Sequence, residues 1–148
     1  PIYTAFNVHN MGYALPAALG AAAAGVPTVL SINGDGGIMM NIQEFPHIRE
    51  RNIKTLILDN KGYGIIRQTQ DDYLEGDHSG SSPQHPTSPL PEYDVAALST
   101  AFGISTRRIK PDEVVENLDW FLASAHSRTL VVDIDPSLRV LGLGLGDC

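Results

Sequence analysis

The sequence predicts an α/β fold, a doubly wound and mainly parallel sheet with helices on both faces, built as one domain over residues 1–148. Three observations predict it. Short apolar runs bounded by glycine, proline or asparagine alternate with helix-length segments. An acidic or amide residue, Asp35 or Asn60, follows the end of two of those runs, and glycines crowd both places.

Ala14 to Ala24, closed by Gly25, predicts the first helix. Thr28 to Ile32 lies between Pro27 and Asn33-Gly34, which predicts a buried strand delivering Asp35. Asn41 with Glu44 three residues on marks a helix start; Ile42, Phe45 and Ile48 recur at helical spacing, and Pro46 is expected to kink that helix. Thr55 to Leu58 predicts a second buried strand ending in Asp59-Asn60, and a helix resumes near Tyr63 and runs to about Gln70. Residues 71–92 are rich in Ser, Pro, Gly, Asp and His, so they are expected to form a long loop acting as a mobile lid. Asp94 caps a short helix through Phe102, stopped by Gly103, and Ile104 to Ile109 predicts an edge strand. Pro111 opens a helix carrying Val114, Leu118, Phe121 and Ala125 on one face. Leu130 to Ile134 is the last predicted buried strand, followed by a loose glycine-rich tail.

Ten basic against 17 acidic residues give a net charge of −7, which argues against a nucleic-acid partner or an anionic membrane. No Asp, Glu, Lys or Arg precedes Asp35, yet Pro16, Gly20, Gly25 and Pro27 interrupt that stretch and exclude a membrane span. The lone cysteine, Cys148, excludes an internal disulfide and a multi-cysteine zinc site; a reducing, cytoplasmic setting fits, and the first residues lack the basic start of a secretory signal.

Asp35 and Asn60 stand 25 positions apart (60 − 35), each just past a predicted strand. In an open parallel sheet the carboxyl edge is where ligands bind, and a right-handed crossover brings neighbouring strand ends to one crevice. Mg²⁺ takes six hard oxygen ligands, so a carboxylate, an amide oxygen and a backbone carbonyl suit it, with phosphate oxygens and water completing the shell. Gly34, Gly36 and Gly37 on one side, and Gly62 and Gly64 on the other, allow backbone N–H groups to approach a diphosphate at the start of each following helix. Either loop alone also reads as an ordinary glycine turn.

Gly34-Asp35-Gly36, followed by a helix, a strand and Asp59-Asn60-Lys61-Gly62-Tyr63-Gly64, resembles the thiamine-diphosphate fingerprint. That fingerprint usually ends in two asparagines; here the first is Asp59. The run from Met11 to Ala18 resembles the segment preceding the fingerprint in acetolactate-synthase-like enzymes, and the likeness extends in outline to Ile134. The resemblance implies the diphosphate-binding domain of that family, incomplete at its amino-terminal end, with thiamine diphosphate and Mg²⁺ as cofactors. It implies metal oxygens from Asp35, Asn60 and the Gly62 carbonyl, and amides from Gly36 and Gly37 to the diphosphate. Asn10 and Met11 would offer backbone groups to the aminopyrimidine, with Met11 as an apolar wedge under the cofactor and Ile65 as a contact near the thiazolium. Gly34, Tyr63 and Gly64 complete the expected cofactor loops. Met11 taken alone reads equally as a core methionine, and Tyr63 equally as packing.

The implied activity is decarboxylation of a 2-oxo acid and transfer of the resulting carbanion equivalent to an acceptor carbonyl, or simple decarboxylation. His9, Arg67 and Thr69 are possible substrate-side residues, although an arginine at this place is commonly solvated, as is Lys61. Acetohydroxyacid synthases resemble one another in a tryptophan at the place of Thr69, so a larger or more polar substrate is expected. His78 and His85 are not expected to form a metal site. Competing classes are a phospho-acceptor domain using Asp35 and a non-catalytic cofactor-binding fragment. No glutamate is placed to activate the aminopyrimidine, so no catalytic residue is assigned in this chain. The partners implied are a pyrimidine-binding domain or second subunit, in a homo- or hetero-oligomer, and no activity is expected from the chain alone.

Overall fold

The computed structural model describes residues 1–5 and 10–140; His9 and the end of the glycine-rich tail, with Cys148, lie outside them. Alanine-rich α1 (Ala14–Ala23) buries Leu15 and Ala18. β1 (Val29–Gly34) continues through Asn33-Gly34, two residues past the predicted end at Ile32, because its parallel pairing with β2 persists to the Gly34–Leu58 pair. Helix α2 (Asp35–Met39) follows with no intervening loop.

The single helix expected from Asn41 is instead a 3-10 turn (Ile42–Glu44) and a four-residue helix, α3 (Phe45–Ile48). Asn41 does not cap it: its side-chain amide donates to the Gly12 carbonyl at 2.9 Å. Pro46 occupies the first turn of α3, where its missing N–H has no intrahelical partner to lose, so it opens a helix rather than kinking one.

β2 (Ile53–Asp59) leads to α4 (Gly64–Tyr73), which extends three residues beyond Gln70. Asp94 caps α5 (Val95–Ala101) as predicted, accepting from the N–H groups of Ala96 and Ala97 at 2.9 and 3.2 Å. Then come β3 (Ser105–Ile109), a 3-10 turn (Pro111–Glu113), α6 (Val114–Leu122) and β4 (Arg128–Asp133). On α6 the predicted apolar face is revised. Leu118 is exposed and Ala125 lies past the helix end, while Asn117 is buried, accepting from Arg107 at 2.8 Å and donating to the Glu113 carbonyl at 2.9 Å.

The four strands are parallel in the order β1-β2-β4-β3. One face carries Ile53, Ile57 and Val131 against Leu15, Ile38, Phe45, Ile48 and Val95 from α1, α2, α3 and α5. The other carries Ile109, Leu130 and Val132 against Val114, Trp120 and Phe121 of α6. Helices on both faces make the sheet doubly wound, as the alternating pattern predicts. β1 departs from expectation in burial. It is an edge strand, and Leu30 and Ile32, each 53% exposed, point to the face on which the α6 cluster reaches Leu56 of β2 but includes no residue of β1. On the same face Lys54 is fully buried, its Nζ donating to the carbonyls of Ser124 and His126 at 2.8 and 2.6 Å. Burial, with the charge of Arg128, pulls its pKa below the usual lysine value.

Candidate metal and diphosphate site

In-register pairing of Gly34 with Leu58 brings the carboxyl ends of β1 and β2 level. Asp35, first residue of α2, and Asn60, just past β2, therefore meet at one edge of the sheet. Asp35 is 2% exposed, and its Oδ2 accepts the Gly62 N–H at 2.9 Å. Burial, and next the charge of Asp59, push its carboxyl above the usual value, against the pull of backbone N–H groups from Asn60, Gly62 and Asp35 itself. A dication at this carboxylate would reverse that balance.

The end of the Asn60 side chain supplies the test of fit for a metal. The terminal atom that faces the Gly62 carbonyl and Asp35 Oδ1 stands 2.7 and 3.2 Å from them. As a nitrogen it donates to both oxygens; as an oxygen it stands beside both as a third hard donor. Neighbouring ligands in an octahedral Mg²⁺ shell lie about 2.9 Å apart, since each bond is roughly 2.05 Å long. One amide rotation thus converts a self-satisfied polar cluster into a set of oxygens with two Mg²⁺-like spacings. The donor set of carboxylate, amide and backbone carbonyl suits Mg²⁺ and not a softer metal.

The intervening loop is held in a demanding conformation. Lys61 has φ of 59°, a left-handed backbone that costs a side-chain-bearing residue about 1 kcal/mol. Its N–H donates to Asp59 Oδ1 at 3.1 Å, which helps to fix the turn that aims the Gly62 N–H at Asp35. The two loops also interlock, since a Cβ on Gly36 would stand 2.1 Å from the Tyr63 ring, and the second packs on the polar segment, where a Cβ on Gly62 would stand 2.5 Å from the Ser81 carbonyl. These glycines are required for loop-on-loop packing, a constraint separate from the anion approach expected for them.

Residues 2–134 match the family described as "Thiamine pyrophosphate enzyme, C-terminal TPP binding domain". The chain belongs to that family. Over 136 residues it is 35% identical to the acetolactate synthase isozyme 2 large subunit of Escherichia coli, covering 89% of this chain and 24% of that protein. A probable acetolactate synthase large subunit from Methanocaldococcus jannaschii is 36% identical over 136 residues, covering 86% of this chain and 21% of that protein. Benzoylformate decarboxylase from Polynucleobacter necessarius has a similar structure, with a TM-score of 0.72 at 25% identity, covering 90% of this chain and 25% of that one. The chain thus spans about a quarter of the length of these proteins.

Around the Asp35 and Asn60 loops of this TPP-binding domain, the other predicted residues fall into groups. Gly34 is the residue before α2, and Gly37 stands in its first turn with only the Gly12 nitrogen near, at 3.8 Å from where a Cβ would sit. Gly64 is packed against the Asn60 side chain, and Tyr63 is half-buried over Gly36. Asn10 is exposed, and Met11 is 42% exposed, so it is not a core methionine. Ile65 and Thr69 lie exposed on α4, the Thr69 hydroxyl donating to the Ile65 carbonyl at 3.0 Å. Arg67 is neither solvated nor free for substrate: it is buried, and its guanidinium donates to the carbonyls of Asn60, Lys61 and Pro136 at 3.2, 3.4 and 3.4 Å. His78 pairs with Asp71 and His85 with Asp77.

Sequence reasoning missed a charged network beside Asp35. Asp59, in the place of the fingerprint's first asparagine, is buried and pairs with Lys61 at 2.7 Å and Arg108 at 2.8 Å. Burial pushes its carboxyl up, but the hydrogen bonds from Lys61 and Arg108 outweigh it and hold the pKa below the usual value. Arg108 also binds Asp133 and Asp94, tying β3, β4 and the start of α5 together. The departure at Asp59 was the visible signal; its cationic partner 49 residues away was not. The polar segment is likewise more anchored than its composition suggests. The Ser81 carbonyl accepts the Tyr63 N–H at 3.2 Å, and Gln70 holds the Ser81 hydroxyl and the Ser79 carbonyl at 2.5 and 3.1 Å. Between this segment and the strand ends lies a cavity of about 650 Å³ lined by Asp35, Lys61, Tyr93, Asp94, Arg108 and Asp133, among others.

Proposed function

We propose that this domain grips the diphosphate of thiamine diphosphate through Mg²⁺ bound by Asp35, Asn60 and the Gly62 carbonyl. The convergence of those three oxygen-bearing groups at Mg²⁺-like spacing carries the reading. Gly36 and Gly37, at the amino end of α2, offer amides to the diphosphate, while Asn10 and Met11 flank the aminopyrimidine and Ile65 the thiazolium. Thiamine diphosphate, when bound, supplies a thiazolium carbon nucleophile able to add to a carbonyl. The chain's own residues fix the diphosphate end, set the approach of the rings through Met11, and keep water from the reacting carbon.

The whole enzyme, on this reading, decarboxylates a 2-oxo acid and transfers the remaining unit to an acceptor carbonyl; the likeness to acetolactate synthase subunits favours it. Simple decarboxylation is the second reading, favoured by the likeness to benzoylformate decarboxylase. Thr69, small and exposed, leaves room for a bulkier acceptor than 2-oxobutyrate, and efficient acetohydroxybutyrate formation by the whole enzyme would overturn that point.

The deciding measurement is thermal unfolding with Mg²⁺ and thiamine diphosphate, singly and together. Saturation at about 100 Kd stabilises by about 2.7 kcal/mol, which raises the melting temperature of a domain this size by roughly 5–10 °C. The shift is expected only with both present. A cofactor-induced shift that persists in EDTA would refute the metal-bridged site.

A further inference from the structure

We propose that Tyr93 is a positioning residue that holds the Asp35 carboxylate for one-oxygen coordination and so biases the site toward Mg²⁺ over Ca²⁺; this rests on the metal-bridged reading above. The Tyr93 hydroxyl donates to Asp35 Oδ2 at 3.4 Å, and the Gly62 N–H donates to the same oxygen at 2.9 Å. Two donors, arriving from segments 58 and 27 residues away in the chain, restrain one carboxylate oxygen. The other, Oδ1, faces Asn60 and is the oxygen left for a metal.

The tyrosine is itself well held. Its side chain packs, partly buried, against the core cluster of Ile53, Ile57, Val95 and their neighbours, and the next residue, Asp94, caps α5 and is gripped by Arg108 at 3.0 Å.

The consequence follows from the coordination habits of the two ions. Mg²⁺ demands near-octahedral angles at short bonds, which a carboxylate meets best with one oxygen; Ca²⁺ accepts longer bonds and carboxylates bound by both oxygens. Restraining Oδ2 disfavours rotation of the carboxylate into a two-oxygen grip. Loss of the hydroxyl removes one of the two restraints while leaving the ring, and therefore the packing, in place.

The test compares the full enzyme assembly with its Tyr93→Phe variant, titrating Mg²⁺ and Ca²⁺ separately at saturating thiamine diphosphate by calorimetry. The expected result is Mg²⁺ binding weaker by about 3- to 10-fold, the size of one lost net hydrogen bond, with Ca²⁺ binding changed by less than about twofold. The ratio of the two dissociation constants is the decisive quantity, because it does not depend on the fraction of the variant that folds. Equal weakening of both ions, or no change in either, would overturn the role of Tyr93 while leaving the metal site standing. Failure of the unaltered enzyme to bind either ion with the cofactor would overturn the metal-bridged reading, and this inference with it.

Discussion

Gly62 donates its N–H to Asp35 Oδ2 at 2.9 Å, joining two loops 27 residues apart through one buried carboxylate. The bond fixes Asp35 but does not neutralise it, and the nearby Asp59 charge adds to the cost of its ionisation.

Asp35→Asn is therefore expected to separate stability from function. The folded-state pKa of Asp35 is raised, so the native state binds more protons than the unfolded chain above pH 3.8. Stability from this group is fully present below that value and lost as pH rises through the folded pKa. At neutral pH the metal-free Asp35→Asn protein should melt at or above the unaltered one, by up to a few degrees, while its response to Mg²⁺ with thiamine diphosphate disappears. Calorimetry with and without metal checks this. A variant that kept its metal response would sink the assignment of Asp35 as a ligand.

The Asp59–Arg108 pair predicts a coupled pair of substitutions. Arg108→Met leaves buried Asp59 with Lys61 alone and should cost about 2 kcal/mol, below the range for a wholly buried pair because Arg108 retains some solvent contact. In an Asp59→Asn background, which restores the fingerprint's asparagine, the same change should cost less, and urea unfolding of the four proteins measures the difference. The pH dependence has the opposite sign to that of Asp35. Asp59 has a lowered pKa, so its stabilisation is present above pH 3.8 and lost as pH falls through the folded value.

The strand–helix alternation, the Asp94 cap and the two glycine loops were legible in the sequence because each depends on neighbours a few residues away. Burial was less legible. Leu30 and Ile32 read as core residues, but their exposure depends on the edge place of β1 and on how far α6 extends over the sheet. Arg67 carried no local mark of its three carbonyl partners, one of them 69 residues away. Tyr93 was missed for the same reason: nothing near it in the chain indicates that its hydroxyl meets Asp35.

The segment of residues 71–92 predicts a divided response to ligand. Ser79 and Ser81 are fastened to Gln70 and Tyr63, whereas the 83–91 stretch borders the cavity beside Asp35. If the segment serves as a lid, the cavity-side stretch should move and the Ser79–Ser81 anchor should stay. Limited proteolysis is expected to cut within 83–91 in the free protein and to slow at least severalfold with Mg²⁺, thiamine diphosphate and a 2-oxo acid. Cleavage at one rate under both conditions would count against the lid.

The last prediction concerns partnership. Met11, Tyr13 and Met40, near the Asp35 loop in sequence, and Ile65 and Ile66, following the Asn60 loop, are all more than 40% exposed. On the uncovered sheet face Leu30, Ile32 and Leu58 extend the exposed apolar surface. Among the glutamates, Glu44 and Glu50 fall between the Asp35 and Asn60 loops, Glu75 and Glu92 in the polar segment, and Glu113 and Glu116 beside or on α6. None adjoins the Asn10-Met11 turn in sequence, and on the family resemblance the glutamate that activates the aminopyrimidine comes from a separate pyrimidine-binding domain. The domain is therefore expected to bind metal and diphosphate but to turn over no substrate by itself. Activity should appear only when a chain carrying the pyrimidine-binding domain is present, with burial of Met11 and Ile65 read by hydrogen exchange. Steady decarboxylation of a 2-oxo acid by these 148 residues alone, with Mg²⁺ and thiamine diphosphate, would refute the prediction.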